Sequence, residues 1–115
     1  MKLNSVLITG ANRGIGLQFV IDLLKQNPKH VIATCRDLEN AKKLKELACQ
    51  NSNLHILQLD MTDHSRYDSF VDEVSQIVGE NGLTLLIQNA GLAINDLKVE
   101  SYLKMYNVNA GKLGL

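Results

Sequence analysis

The 115-residue sequence predicts a doubly wound α/β domain, a parallel sheet covered by helices. Three observations predict it. Apolar runs of strand length alternate four times with stretches of helical period. The runs are apolar at consecutive positions, as parallel strands buried on both faces must be. A glycine-rich turn stands directly between the first run and the first helical stretch.

The first strand is expected near Ser5 to Thr9. Phe19, Val20, Leu23 and Leu24 then recur at helical spacing, and Pro28, after Gln26 and Asn27, marks a stop before the second strand, His30 to Cys35. Ala41, Leu44, Leu47 and Ala48 form the stripe of the second helix, with Asp37 placed to cap its start. Leu54 to Leu59 is the third strand. Tyr67, Phe70, Val71, Val74, Ile77 and Val78 make one apolar face of the third helix, and Gly79 to Gly82 supply its stop. Leu83 to Gln88 is the fourth strand. A fourth helix carries Val99, Leu103, Tyr106 and Ala110, with Gly111 and Gly114 weakening its end.

Right-handed crossovers wind successive strands outward from the first, and the fourth then starts on the other side. The result is a partial Rossmann-type sheet of spatial order 3-2-1-4. Its switch point lies between strands one and four, where open sheets of this kind bind ligands.

Length fits a single domain spanning residues 1–115. A hydrophobic fraction of 45% and a charged fraction of 21% describe an ordinary globular chain rather than a disordered tail or a membrane span. Twelve basic residues balance twelve acidic ones, which argues against nucleic acid or an anionic membrane as partner. Cys35 and Cys49 lack CxxC or His-adjacent spacing, so a disulfide framework is not expected and a reducing compartment fits best. His30, His55 and His64 stand singly, without metal-ligand spacing, and core or surface roles are expected for them. Val6 to Ile8 is too short for a signal-peptide core, and a cytoplasmic protein is expected.

The strongest chemical signal is Thr9-Gly10-Ala11-Asn12-Arg13-Gly14-Ile15-Gly16, between a strand and a helix. Gly10 can take a tight turn, Gly14 can let backbone approach a pyrophosphate, and Gly16 can allow close helix packing. The helix N-terminus adds free N–H groups. Gly10, Asn12, Arg13, Gly14, Ile15 and Gly16 are therefore candidate cofactor-binding residues. A purely structural turn is the rival reading, which the strand and helix context disfavours.

The GxxxGxG spacing resembles the TGxxxGxG turn of the short-chain dehydrogenase/reductase family. Gln88-Asn89-Ala90-Gly91 at the end of the fourth strand resembles the same family's NNAG motif, with Gln88 in place of the first asparagine. The runs Ile8 to Gly16, Thr34-Cys35-Arg36 and His55-Ile56-Leu57 before Asp60 are most similar to the sniffer and C-factor group of carbonyl reductases. The resemblance implies that Asn89 and Gly91 line the floor under a cofactor ribose. It implies that Asp60 accepts from the adenine amino group while the backbone N–H of Met61 contacts the ring, although a loop or helix-cap aspartate reads equally well. Asn109 matches the family's catalytic asparagine, with Gly111 one position earlier than the family's glycine.

At the end of the second strand, where an acidic residue would meet a free ribose 2'-hydroxyl, the sequence has Cys35-Arg36-Asp37. Arg36 is placed to pair with a 2'-phosphate, and Arg13 offers it a second guanidinium. Either arginine alone could be a solvated surface side chain. Together, at two walls of an adenosine site, they favour NADP(H) over NAD(H). Asp37 dissents: it is either the ribose acid shifted by one position or, more simply, a helix cap.

The resemblance implies the N-terminal, cofactor-binding part of an NADP(H)-dependent oxidoreductase that reduces carbonyl compounds. Such chemistry uses a tyrosine general acid/base, a lysine four residues later and a serine. Tyr67, Tyr102 and Tyr106 are followed at that spacing by Val71, Tyr106 and Ala110, and Ser101 and Lys104 read as exposed helix residues. Leu83 to Ile87 would be an exposed apolar edge without a fifth strand. A fragment, a truncated isoform or an incomplete gene model, inactive by itself, is therefore expected. The small-molecule carbonyl substrate and any homo-oligomer would belong to a longer form. The alternative is a non-enzymatic NADP(H)-binding module or regulatory truncated isoform. No metal is expected.

Overall fold

β1 (Ser5–Ile8), β2 (His30–Cys35), β3 (Leu54–Gln58) and β4 (Leu85–Ile87) form one parallel sheet in the order β3-β2-β1-β4. The computed structural model describes residues 4–89. The predicted 3-2-1-4 order is thus the observed one. Val6 pairs with Val31 on one side and with Leu85 on the other, so β1 is flanked by strands reached through opposite crossovers.

Strand alternation divides the core into two. Val6 and Ile8 of β1, with Val31 and Ala33 of β2, point to the face covered by α1 (Gly14–Leu24) and α2 (Lys42–Gln50), where Val20 and Leu44 are fully buried. Leu7 and Ile32 point to the other face and pack under α3 (Tyr67–Val78), whose Phe70, Val74 and Val78 are buried there. Successive residues of β1 therefore serve different layers, which is why the run is apolar without alternation. Ile77, placed on the apolar face of the third helix, is half-buried against the same cluster.

Helix boundaries follow local hydrogen bonding. α1 gives way to Asn27 in the left-handed region (φ 55°), after which buried Pro28 leads into β2. The Asn53 amide holds this corner by donating to the Pro28 carbonyl at 2.8 Å.

The second helix starts later than its apolar stripe suggests. Asp37 accepts from the Glu39 N–H at 2.9 Å and caps a 3-10 turn, Leu38–Asn40. The α-helix proper begins at Lys42, behind buried Ala41. Asp37 is thus a cap, but of the turn that precedes the helix. Asp63 plays the same part before α3, accepting from the Ser65 N–H at the start of the turn His64–Arg66.

The strands are shorter than their apolar runs, although the ladder extends past their ends. Thr84 N–H donates to the Ser5 carbonyl at 2.7 Å, Thr9 N–H to Ile87 at 3.0 Å and Leu59 N–H to Cys35 at 2.9 Å. Leu83, read as strand, is buried instead in the α3 cluster. β4 is an outer strand among the described residues, and Leu85, Leu86 and Ile87 are half-buried. Gly91, Asn109 and the predicted fourth helix lie outside the described residues. Among the described residues no helix is long and apolar enough to cross a membrane.

Candidate functional site

All four strands end at the same edge of the sheet, and the loops leaving them surround a cleft of about 700 Å³. That volume is in the range of small-molecule sites. The glycine turn forms its base. Ala11 N–H donates to the Thr34 carbonyl at 2.8 Å, which fastens the turn to β2. Gly10 takes φ 60° and Gly14 φ 59°, conformations a side chain would strain.

Gly16 is needed for a different reason. A Cβ there would stand 2.3 Å from the Gly10 carbonyl oxygen and 2.5 Å from Asn89 Nδ2, so the absent side chain lets α1 start against the strand ends.

The first turn of α1 is open to an anion. Arg13 is the N-cap residue, with extended backbone and no side-chain cap, and no acidic residue occupies the turn. The leading N–H groups therefore keep the unsatisfied donors and partial positive charge that favour phosphate. The Gly14 backbone lines the cleft, and a Cβ on it would meet nothing within 4 Å.

Gly10, Asn12, Arg13, Gly14, Arg36, Asp60, Met61 and Asn89 all line this cleft. Ile15 and Gly16 do not. Ile15 is 70% exposed on α1, and Gly16 is buried beneath the turn. Asp37, Asn40 and Leu59 complete the lining. Asn40 and Leu59 are absent from the motifs above. Asn40 comes to the cleft through the capped turn Leu38–Asn40, which apolar periodicity does not report.

Each wall has its own support. The Gln58 amide donates to the Arg36 carbonyl at 3.1 Å, fixing the backbone behind an exposed guanidinium. Asp60 accepts from the Thr62 hydroxyl at 2.7 Å and the Thr62 N–H at 2.9 Å, both through Oδ1. These two bonds, with the nearby positive charge of Arg36, hold its carboxyl below the usual carboxylate range. The Met61 carbonyl accepts from the buried Tyr67 hydroxyl, so the loop after β3 is tied to the core under α3. At the end of β4, Asn89 N–H donates to Thr9 Oγ1 at 3.0 Å and its side-chain amide to the Gly10 carbonyl at 3.1 Å.

Two groups read only as scattered residues meet away from the cleft. His30 Nδ1 and His55 Nε2 are 3.1 Å apart, on neighbouring strands β2 and β3. Burial pushes both pKa values down. Burial, followed by the charge of Asp37, raises that of the Cys35 thiol, which keeps it a protonated core side chain. Among the described residues no group of three or more His, Cys, Asp or Glu could hold a metal ion.

The sequence matches the family model described as short chain dehydrogenase over residues 4–111. It is 35% identical to the NADPH-bound carbonyl reductase from chicken fatty liver, with a TM-score of 0.76 over 97% of this chain and 47% of that one. The carbonyl reductase Sniffer of Drosophila melanogaster is 36% identical, with a TM-score of 0.75 over 96% of this chain and 50% of that one. Among curated proteins, the NADPH-dependent 3-dehydrocapnine reductase of Ornithobacterium rhinotracheale is 32% identical over 107 residues, 90% of this chain and 37% of its own length. The chain thus spans half or less of the length of these relatives.

Proposed function

The chain belongs to the short-chain dehydrogenase family, and from that premise we propose that it is the NADP(H)-binding portion of an oxidoreductase that reduces small carbonyl compounds. The observation that carries the proposal is the convergence of Arg13 and Arg36 on one cleft whose base is an uncapped helix N-terminus. Arg13 within the glycine turn and Arg36 after β2 supply planar, charge-assisted donors to a 2'-phosphate. The leading N–H groups of α1 suit a pyrophosphate.

The remaining lining residues fit the other parts of a dinucleotide. Asp60 keeps Oδ2 for an adenine amino group while Oδ1 is held by Thr62. Asn89 supports the turn from below, and Gly91, outside the described residues, is assigned with it to the ribose floor. When bound, the nicotinamide supplies hydride to the carbonyl carbon. The residues of this chain bind and orient the dinucleotide, with Asn109 the proposed catalytic contribution from its C-terminal part. No tyrosine among the 115 residues is followed four positions later by a lysine. The two relatives whose names carry NADPH support the cofactor assignment, and the two carbonyl reductases support the substrate class.

Titration of the purified chain with NADPH and with NADH, followed by nucleotide fluorescence, tests the cofactor assignment. NADPH should bind at least tenfold more tightly, the scale of one charge-assisted contact at about 1.5–3 kcal/mol. Equal affinities would refute the assignment.

A further inference from the structure

The residue after Arg36 poses a problem for a site that selects a 2'-phosphate. An ionised carboxylate at the end of β2 would accept from a ribose 2'-hydroxyl and repel a phosphate. Asp37 lines the cleft beside Arg36.

Both of its oxygens, however, are engaged by the chain itself. Oδ1 accepts from the Glu39 N–H at 2.9 Å, and Oδ2 accepts from the side-chain amide of Asn40 at 3.1 Å. Asn40 also reaches the glycine turn, since its carbonyl accepts a long bond from Asn12 Nδ2 at 3.4 Å. One residue therefore joins the capped turn after β2 to the phosphate-facing turn after β1.

We infer that Asn40 is a specificity-determining positioning residue, whose amide, with the Glu39 N–H, holds the Asp37 carboxylate turned onto the capped turn and so disfavours it as a ribose hydroxyl acceptor. This inference rests on reading the cleft as an NADP(H) site. Asparagine suits the task because it donates to Asp37 without adding charge, whereas an aspartate at position 40 would add a second repulsive carboxylate beside the phosphate. Held by the Glu39 N–H alone, the carboxylate is free to turn Oδ2 toward a 2'-hydroxyl.

The test is the ratio of NADH to NADPH dissociation constants for wild type, Asn40→Ala, Asp37→Ala and the double variant. Asn40→Ala should lower the ratio about tenfold, through tighter NADH and weaker NADPH binding. In the Asp37→Ala background the same substitution should change the ratio less than about twofold, because no carboxylate remains to be released. A ratio unchanged by Asn40→Ala overturns the inference, as does an equal shift in both backgrounds. Asn40→Leu replaces Asn40→Ala if circular dichroism finds the alanine variant unfolded. Wild type without a preference for NADPH overturns the reading of the cleft and this inference together. A wild-type preference with no effect of Asn40 overturns the inference alone.

Discussion

The side-chain amide of Asn89, at the end of β4, donates to the Gly10 carbonyl at 3.1 Å, while a Cβ on Gly16 would stand 2.5 Å from the same amide nitrogen. The glycine turn and the end of β4, 79 residues apart from Gly10 to Asn89, thus share one small space. Asn89→Ala should cost about 1 kcal/mol in urea unfolding, the net value of an ordinary hydrogen bond, and weaken NADPH binding by loosening the turn. Gly16→Ala should cost more, because its nearest neighbour is backbone, the Gly10 carbonyl at 2.3 Å, and α1 would have to move. Overpacking of this kind costs about 1–3 kcal/mol. Equal unfolding midpoints for Gly16→Ala and wild type would contradict the packing described.

Arg36→Ala removes a guanidinium while the backbone carbonyl of residue 36 stays fixed by the Gln58 amide. NADPH affinity should drop about tenfold or more with NADH affinity unchanged, since only the former carries the extra phosphate. Arg13→Ala should act in the same direction. Because the Arg36 charge also helps to keep Asp60 ionised, its removal should raise the Asp60 pKa, a shift readable by carboxyl NMR. A parallel loss of both nucleotides would indicate damage to the cleft rather than loss of a phosphate contact.

Tyr67 ties the loop bearing Asp60 and Met61 to the core, because its buried hydroxyl donates to the Met61 carbonyl. Tyr67→Phe keeps the ring in the cluster around Phe70 and removes the bond. Thermal unfolding should report a loss of about 1–2 kcal/mol, the scale set by leaving a buried acceptor unpaired. Asp60 is repositioned with the loop, so nucleotide affinity should fall as well. Unchanged stability would mean that the hydroxyl contributes nothing to the fold.

The strand order was legible through the right-handedness of the crossovers, and the two-faced core because β1 sends Val6 and Ile8 to one layer and Leu7 to the other. A continuous apolar run has that one economical explanation in a parallel sheet. The glycine turn was legible for a similar reason, as its residues are contiguous. Asn40 was not, because its part depends on a 3-10 turn inserted before α2, and apolar periodicity does not report a turn without apolar residues. Nor was the meeting of His30 with His55, which depends on the register that pairs Ile32 with His55. Sequence spacing is silent about which residues face each other across two strands joined by a helix.

That histidine pair gives the protein a pH response of definite sign. An Nδ1 to Nε2 separation of 3.1 Å needs one nitrogen as donor and the other as acceptor, so the pair cannot keep its bond with both rings protonated. Burial lowers both pKa values; Lys29 contributes to His30, and His30 itself to His55. The unfolded chain, with histidines near the ordinary value of about 6.5, then binds protons that the folded chain refuses. Stability should therefore be constant above about pH 7 and fall as the pH drops through 6.5 toward the lowered folded values. Carboxylates, with ordinary values of about 4, are almost wholly ionised above about pH 5.5, so the decline between about pH 5.5 and 7 belongs to the histidines. Melting temperatures between pH 5 and 8 should trace the decline in wild type. His30→Gln combined with His55→Gln should flatten it, since glutamine can donate and accept without titrating. An undiminished slope in the double variant would assign the response to other groups.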